Sequence, residues 1–371
     1  MKLTFEKDAI LNGLNIVSKA IPSKTTMSIL ECILIDASSS EIKFTANDME
    51  MGIETKVEGE ILEKGKIALE AKLFYEIIRK LSIEDAVITI ESDSRFNTTI
   101  SCGTSVFNIP GRDGEEFSYL PYIERDHYIC LSQFTLKEAI RQTIFSISAN
   151  DSNKMMSGEL FEVRGNELRV VSLDGHRISI RKIGLKEEYD SIKVIVPGKT
   201  LSEISKILNG DNEKEVIIYF SKNHILFEFD DTIMVSRLIE GEYFKIDNML
   251  SSDYETKVTV NKKEFLDNID RAMILIRESD RKPIILNVTD TEIGLRVKSA
   301  FGSMNSQVSA HKTGRDIMIA FNPKFLVDAL RAIDDETVDL YMMNPKSPCF
   351  IRDEEEQYIY LILPVNFIAE N

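Results

Sequence analysis

"IAFNPKFLVDALRAI", residues 319–333, reads as the end of a strand running into an amphipathic helix. Two other stretches align with it column by column: "IALEAKLFYEIIRKL" (67–81) and "VIVPGKTLSEISKIL" (194–208). Lys72, Lys199 and Lys324 share one column, spaced 127 and 125 residues apart. Self-similarity at a fixed period marks a chain built from structural copies, so this alignment decides how the rest is read.

Working outward from these helices, every neighbouring segment repeats as well. "LTFEKDAILNGLNIVSKAI", "ICLSQFTLKEAIRQTIFSI" and "VTVNKKEFLDNIDRAMILI" each open a unit with a strand and a helix. They are followed by hairpins, "ILIDASSSEIKFTANDMEMGIE", "LFEVRGNELRVVSLDGHRISI" and "IILNVTDTEIGLRVKSAFGSMNSQV", in which Glu41, Glu167 and Glu292 align. Each unit closes with further strands of period-two alternation. The expected fold is therefore α+β, three tandem copies of one domain made of a β-sheet and two helices. The copies span 1–124, 125–250 and 251–371, with boundaries in the polar stretches "PYIERDH" and "NMLSSDYE". The spacing predicts helices over 7–20, 72–81, 133–146, 199–208, 262–277 and 323–333.

The composition, 43% apolar and 29% charged, is that of a soluble globular protein. No run of about 18 apolar residues is present, and the first residues lack the apolar core of a signal peptide, so a cytoplasmic location is expected. Cys32, Cys102, Cys130 and Cys349 are scattered, and His127, His176, His224 and His311 form no ligand pair, so neither a metal nor a cofactor is expected. Of the formal net charge of −16, the six predicted helices carry +7, which leaves −23 on the remainder. In the second helix of each unit the basic positions recur seven residues apart, as Lys72 and Arg79, Lys199 and Lys206, Lys324 and Arg331. Glu76, Glu203 and Asp328 fall between them, which fits a solvated, salt-bridged helix face. The segregation of positive helices from negative strands and loops also fits a surface that holds a polyanion loosely.

"VSLDGHRISI" (171–180) places Asp174, Gly175, His176 and Arg177 on one tight turn between two strands. A catalytic reading fails on inventory. No Ser or Cys nucleophile with a partner base, no glycine-rich phosphate loop and no carboxylate cluster of metal spacing accompanies it. Asp174 and Gly175 are expected to make the turn.

Taken together, the threefold repeat, "NDMEMGI" (47–53), "LDGHR" (173–177), "SRLIEGEYF" (236–244) and "LILPVNF" (361–367) resemble the bacterial sliding clamp, the β subunit of DNA polymerase III, over the full chain. The resemblance implies a non-catalytic processivity factor: a head-to-tail homodimer whose six domains close a ring around duplex DNA. Helices would line the hole, and sheets would form the outer shell and the subunit junctions. Sequence-independent DNA contacts would come from Lys24, Lys72, Arg79, Lys199, Lys206, Lys324 and Arg331. A pocket for short apolar peptides of the replicative polymerase, the clamp loader and other partners would have Leu173, Gly175, His176, Arg177 and Ile178 on one side. Leu363, Pro364, Val365, Asn366 and Phe367 would form the other side, with Met156, Phe244, Met249 and Asn322 at its edges. At the dimer junction the strand 104–109 is expected to pair with an edge strand near 294–301. Phe107 and Ile109 would then pack against the partner's Met273 and Ile274. Asn366, Phe244 and Asp280 depart from residues frequent in the family.

Overall fold

The computed structural model describes residues 1–81, 87–148, 153–277 and 282–367; Asp280 lies outside them. The chain resolves into two compact units, Met1–Phe134 with Glu203–Leu238, and Thr135–Ser202 with Ile239–Asn371. Their boundaries differ from those of the three sequence repeats, because strands of successive repeats pair into common sheets. Six α-helices are described: α1 (Lys7–Val17), α2 (Ala71–Lys80), α3 (Gln133–Arg141), α4 (Gly198–Ile207), α5 (Lys262–Met273) and α6 (Pro323–Ala332).

The first unit holds two antiparallel sheets. In the larger, strands run in the order Arg112–Asp113, Lys66–Glu70, Cys32–Asp36, Lys43–Asn47, Met51–Lys56, Thr232–Arg237, His224–Phe229, Glu215–Phe220 and Tyr128–Ser132. The join between repeats is the pairing of Met51–Lys56 with Thr232–Arg237, in register from Thr55↔Thr232 to Met51↔Ser236. The smaller sheet ends on Ser105–Pro110, which pairs only with Asn97–Cys102 among the described residues. Helix α1 buries Ile10, Leu14 and Val17, and Gly13 lets it approach the sheet. A Cβ there would lie 2.5 Å from Val57 Cγ2. Helix α2 buries Phe74, Ile77 and Ile78, and Glu70 caps it by accepting hydrogen bonds from the Lys72 and Leu73 amides.

The second unit is built on one ten-stranded antiparallel array. Here the join between repeats is Arg177–Pro197 with Tyr358–Ile362, from Arg177↔Ile362 to Arg181↔Tyr358. The strand Gly302–Gly314 turns a corner: Ala310–Gly314 pairs with the strand Thr256–Asn261, whereas Gly302–Ser309 pairs with Glu292–Ser299. Gly314, at φ 96°, ends this strand in close contact with its neighbour, since a Cβ would fall 1.9 Å from the Glu255 carbonyl oxygen. Helix α6 buries Leu326, Val327, Ala329 and Leu330 against the aliphatic core of this unit, alongside Phe265 and Ile269 of α5.

The first helices of repeats two and three stop earlier than their apolar patterns suggest. Helix α3 ends at Arg141 and a 3-10 turn follows at Ile144–Ser146. There the Thr143 hydroxyl donates to Ala139 O, a local bond that competes with helix continuation. Helix α5 ends at Met273, and the apolar run continues as turns that leave Ile274 81% exposed.

Within the second unit Glu159 is fully buried, and neither carboxyl oxygen has a hydrogen-bond partner among the described residues. Desolvation raises its pKa well above the ordinary 4.5; the nearby Thr143 hydroxyl, already donating to Ala139 O, offsets this only in part. The folded pKa therefore exceeds the unfolded one, so the carboxyl costs no stability below the unfolded value and an increasing amount as pH climbs towards the folded value. In Glu159→Gln the stability difference from the parent should grow with pH above about 5, by up to about 1.4 kcal/mol per unit. Urea unfolding at pH 5, 7 and 9 measures it. A constant difference would show that the folded state leaves this carboxyl's pKa where the unfolded chain has it.

Candidate functional site

The turn at 174–177 is assembled by one carboxylate. Asp174 Oδ1 accepts from the His176 amide at 2.9 Å and the Arg177 amide at 3.2 Å, and Gly175 takes φ 87°. The first repeat makes the same turn: Asp48 Oδ1 accepts from Glu50 and Met51 amides, and Met49 adopts φ 74°. Asp174 is thus the turn-maker.

Arg177 is nearly buried, 7% exposed, and ties that turn to α6. Its Nε donates to Asp174 Oδ2 at 3.0 Å and one terminal nitrogen to Asp328 Oδ2 at 2.7 Å; the other donates to Phe145 O. The guanidinium also lies 4.5 Å from the Phe325 ring centre and 5.4 Å from that of Phe145. His176 stacks on the other ring available to it, Phe325, at 6.2 Å. A guanidinium with two carboxylates, a carbonyl and two aromatic faces is a compensated buried charge.

Beside this turn is a cavity of about 440 Å³, lined by Met156, Leu173, Gly175, His176, Arg177, Ile178, Phe244, Met249, Pro348, Leu361 and Leu363. It brings together all five residues expected on one side, three of those expected at the edges, and from the other side Leu363 alone. Asn322, Pro364, Val365, Asn366 and Phe367 are not among its lining residues. Asn322 instead caps α6, accepting from the Lys324 amide at 3.1 Å. The tail is held by two backbone bonds, Leu363 N–H to His176 O at 2.9 Å and Val365 N–H to Ala320 O at 2.8 Å. Phe367 reaches a second groove. Two lining residues escaped the sequence reading. Leu361 was detectable, since it lies two positions before Leu363 along the closing strand; Pro348 belongs to a loop that carries no pattern.

The basic residues of the helices are exposed, and several are ion-paired. Arg79 reaches Glu76 at 2.7 Å, Lys206 reaches Glu203 at 2.8 Å, Lys324 reaches Asp328 at 3.0 Å and Arg331 reaches Asp270 at 3.0 Å. Lys24, Lys72 and Lys199 are exposed as well. Such solvated pairs contribute about 0–1 kcal/mol each, so these cations can be drawn to another anion at little cost.

At the strand edges, the residues 294–301 prove to lie on or next to a strand with partners on both sides, since Glu292–Ser299 pairs with Ile284–Val288 and with Gly302–Gly314. The open edge is one strand further, at Gly302–Ser309. Phe107 is 38% and Ile274 81% exposed, whereas Ile109 is already buried in its own unit and Met273 packs partly against the core.

A cluster of three antiparallel β-rich copies with paired helices defines a clamp-type protein. The chain matches the family descriptions DNA polymerase III beta subunit, N-terminal domain over residues 1–121, central domain over 130–245 and C-terminal domain over 248–366. It is 34% identical over 376 residues to the beta sliding clamp of Staphylococcus epidermidis, covering 98% of this chain and 99% of that one. Among solved structures, a putative DNA polymerase III beta subunit from Eubacterium rectale is 64% identical with a TM-score of 0.96, covering 99% of this chain and all of that one. The DNA polymerase sliding clamp from Bacillus subtilis is 33% identical with a TM-score of 0.95 over the same shares. The chain belongs to the family of the DNA polymerase III beta subunit, the bacterial beta sliding clamp.

Removing Asp328 would leave Arg177 buried with one carboxylate fewer. Asp328→Ala should lower stability by about 1–3 kcal/mol, more than the removal of the exposed partner in Lys324→Ala. Thermal unfolding of the two variants side by side tests it. Equal losses would mean that the Arg177 bond to α6 contributes nothing.

Proposed function

We propose that the chain is a DNA sliding clamp: a homodimeric ring around duplex DNA that tethers the replicative polymerase, the clamp loader and other partners through the 440 Å³ cavity. The observation that carries this reading is the repeated strand junction. Each of two repeats has its open hairpin edge closed by the last strand of the next repeat. One such edge, Gly302–Ser309, and one such closing strand, Ser105–Pro110, are left over. Their union between two copies would repeat the internal junction a third time, and a heterologous contact that closes with two copies makes a ring.

The two internal junctions fix the register expected of the third. Met234 faces Ile53 in the first and Tyr360 faces Ser179 in the second. Carried forward by one repeat, these pairs become Phe107 facing the partner's Met304. Cα atoms of facing antiparallel residues are about 4.5–5.5 Å apart, within disulfide reach. A protein carrying Phe107→Cys and Met304→Cys should therefore form an interchain disulfide on mild oxidation, and one carrying Phe107→Cys and Ser306→Cys should not. Cross-linking by the second pair alone, or by neither in an intact dimer, would displace this junction.

For DNA, the exposed Lys24, Lys72, Arg79, Lys199, Lys206, Lys324 and Arg331 would contact phosphates without reading bases. Lys199→Glu with Lys206→Glu should shorten retention on circular DNA and leave sequence preference unchanged. A marked sequence preference of the parent would count against a sliding function.

The cavity's apolar lining suits a peptide of five or six residues with Leu or Phe near its end, and the family leads one to expect a Gln near its start. Two anchoring side chains worth about 1.5–3 kcal/mol each, less ordering costs, give micromolar affinity. Leu173→Asp should abolish binding in a fluorescence-anisotropy titration while His176→Ala weakens it only modestly. Full affinity in Leu173→Asp would move the site elsewhere.

A further inference from the structure

The tail that follows the strand Tyr358–Ile362 has its two ends in two separate depressions. Leu363 forms part of the cavity wall. Phe367, half-buried, lines a second groove of about 520 Å³ together with Ile285, Gly294, Arg296 and Met318. The tail follows the course that its counterparts take in the earlier repeats. Val365 N–H bonds to Ala320 O as Ile239 N–H bonds to Ile195 O, and Arg112 is paired with Ala68 in the same manner. In those repeats the segment is then pinned by a buried aromatic side chain a few residues on, Phe117 or Tyr243, each 2% exposed. In the tail, among the described residues, Phe367 is the aromatic in that role.

One glycine, Gly294, is among the residues that line the groove. Gly294 occupies the column in which the first two repeats carry Lys43 and Arg169. Lys43 reaches Glu54, and Arg169 reaches Glu162 and Asp247, so a long side chain crosses the face in each case. At Gly294 there is none. The columns of Ile285 and Ala320 hold Leu34 and Ala68 in the first repeat, clustered with Phe117, and Leu160 and Ile195 in the second, clustered with Tyr243, so the same surface seats a ring in both. Two backbone hydrogen bonds, each with a modest net contribution in water, do not by themselves hold a wall in place.

We propose that Phe367 is a positioning residue for partner-peptide binding: seated in this groove, it fixes the tail and so holds Leu363 against the cavity. This rests on the cavity being the peptide site. The test uses the full-length protein and a fluorescent hexapeptide with Gln first and Leu-Phe last. Phe367→Ala should weaken binding about fivefold, the loss that partial burial of a phenylalanine represents, and Phe367→Leu should restore most of it. Met318→Glu, which does not touch the cavity, should weaken binding to the same extent, and the double variant should be no worse than either single one. Additive losses, or a loss in Phe367→Ala without one in Met318→Glu, would mean that Phe367 acts on the peptide directly and would overturn the proposal, as would no effect of Phe367→Ala. The chain contains no tryptophan, so Phe367→Trp supplies a single emitter that reports the seat independently of any peptide. Its emission should be blue-shifted and should move to the red when Met318→Glu is added. A parent protein that binds no peptide would sink the pocket reading while this emission still decided the anchoring; fully solvated emission from Phe367→Trp would sink the anchoring itself.

Discussion

An antiparallel sheet that stops leaves a row of backbone donors and acceptors without partners, and each repeat of this chain stops in that way. The remedy is the same at both internal joins: the hairpin strand Met51–Lys56 takes Thr232–Arg237, and Arg177–Pro197 takes Tyr358–Ile362, each over five paired residues. Because a strand of one repeat completes the sheet of another, the compact units cut across the repeats. A side-chain period of two also makes each register strict, since a slip of one residue would turn Ile53 or Ile180 out of its buried position.

This edge pairing also positions the site. It sets the closing strand of one repeat next to the hairpin corner of the one before, and the two corners share their backbone bonds. Arg237 N–H donates to Glu50 O in the first and Leu363 N–H to His176 O in the second. What differs is the filling. At the first corner Gly52 stands in the column of Ile178, and a Cβ there would lie 2.1 Å from Leu120 Cδ2, so the connecting segment itself occupies the space. At the second corner Ile178 keeps its side chain, and the neighbouring volume is open as the cavity. One motif therefore gives a packed corner in one repeat and a concave apolar surface in the next, through a change of one side chain and of the segment laid over it.

The repeats, the six helices and the turn were legible in the sequence because each depends on local chemistry: apolar spacing, alternation, and an Asp–Gly pair that fixes its own backbone. Helix ends were read too long where a local bond intervened, as at Thr143. The open edge was misplaced by one strand because Glu292–Ser299 and Gly302–Gly314 alternate equally well, and only tertiary pairing decides which has a free side. The five residues read for one wall do line the cavity, whereas of the tail, assigned to it as a block, only Leu363 does. A sequence shows that Leu363 and Phe367 are apolar; it does not show that the first lines the cavity and the second a different groove. Arg177 is a similar case. Its half-buried partner Asp328 lies 151 residues on and was read only as part of a solvated helix face.

Asp328 serves two cations of contrasting character. Towards Arg177, 7% exposed, it is a structural counter-charge, held in place because an uncompensated guanidinium at that depth would be costly. Towards Lys324, 55% exposed, it offers only a shallow, water-screened pairing. A helix built in this way separates its charges by burial: the inner one fastens the turn beside the cavity, and the outer one stays available. The outer pairs of Arg79, Lys206 and Arg331 follow the same rule, each cation exposed and each partner a nearby carboxylate. For a polyanion that must be held without being gripped, this arrangement is better suited than unpaired lysines, because leaving one phosphate for the next merely returns the cation to a partner already at hand.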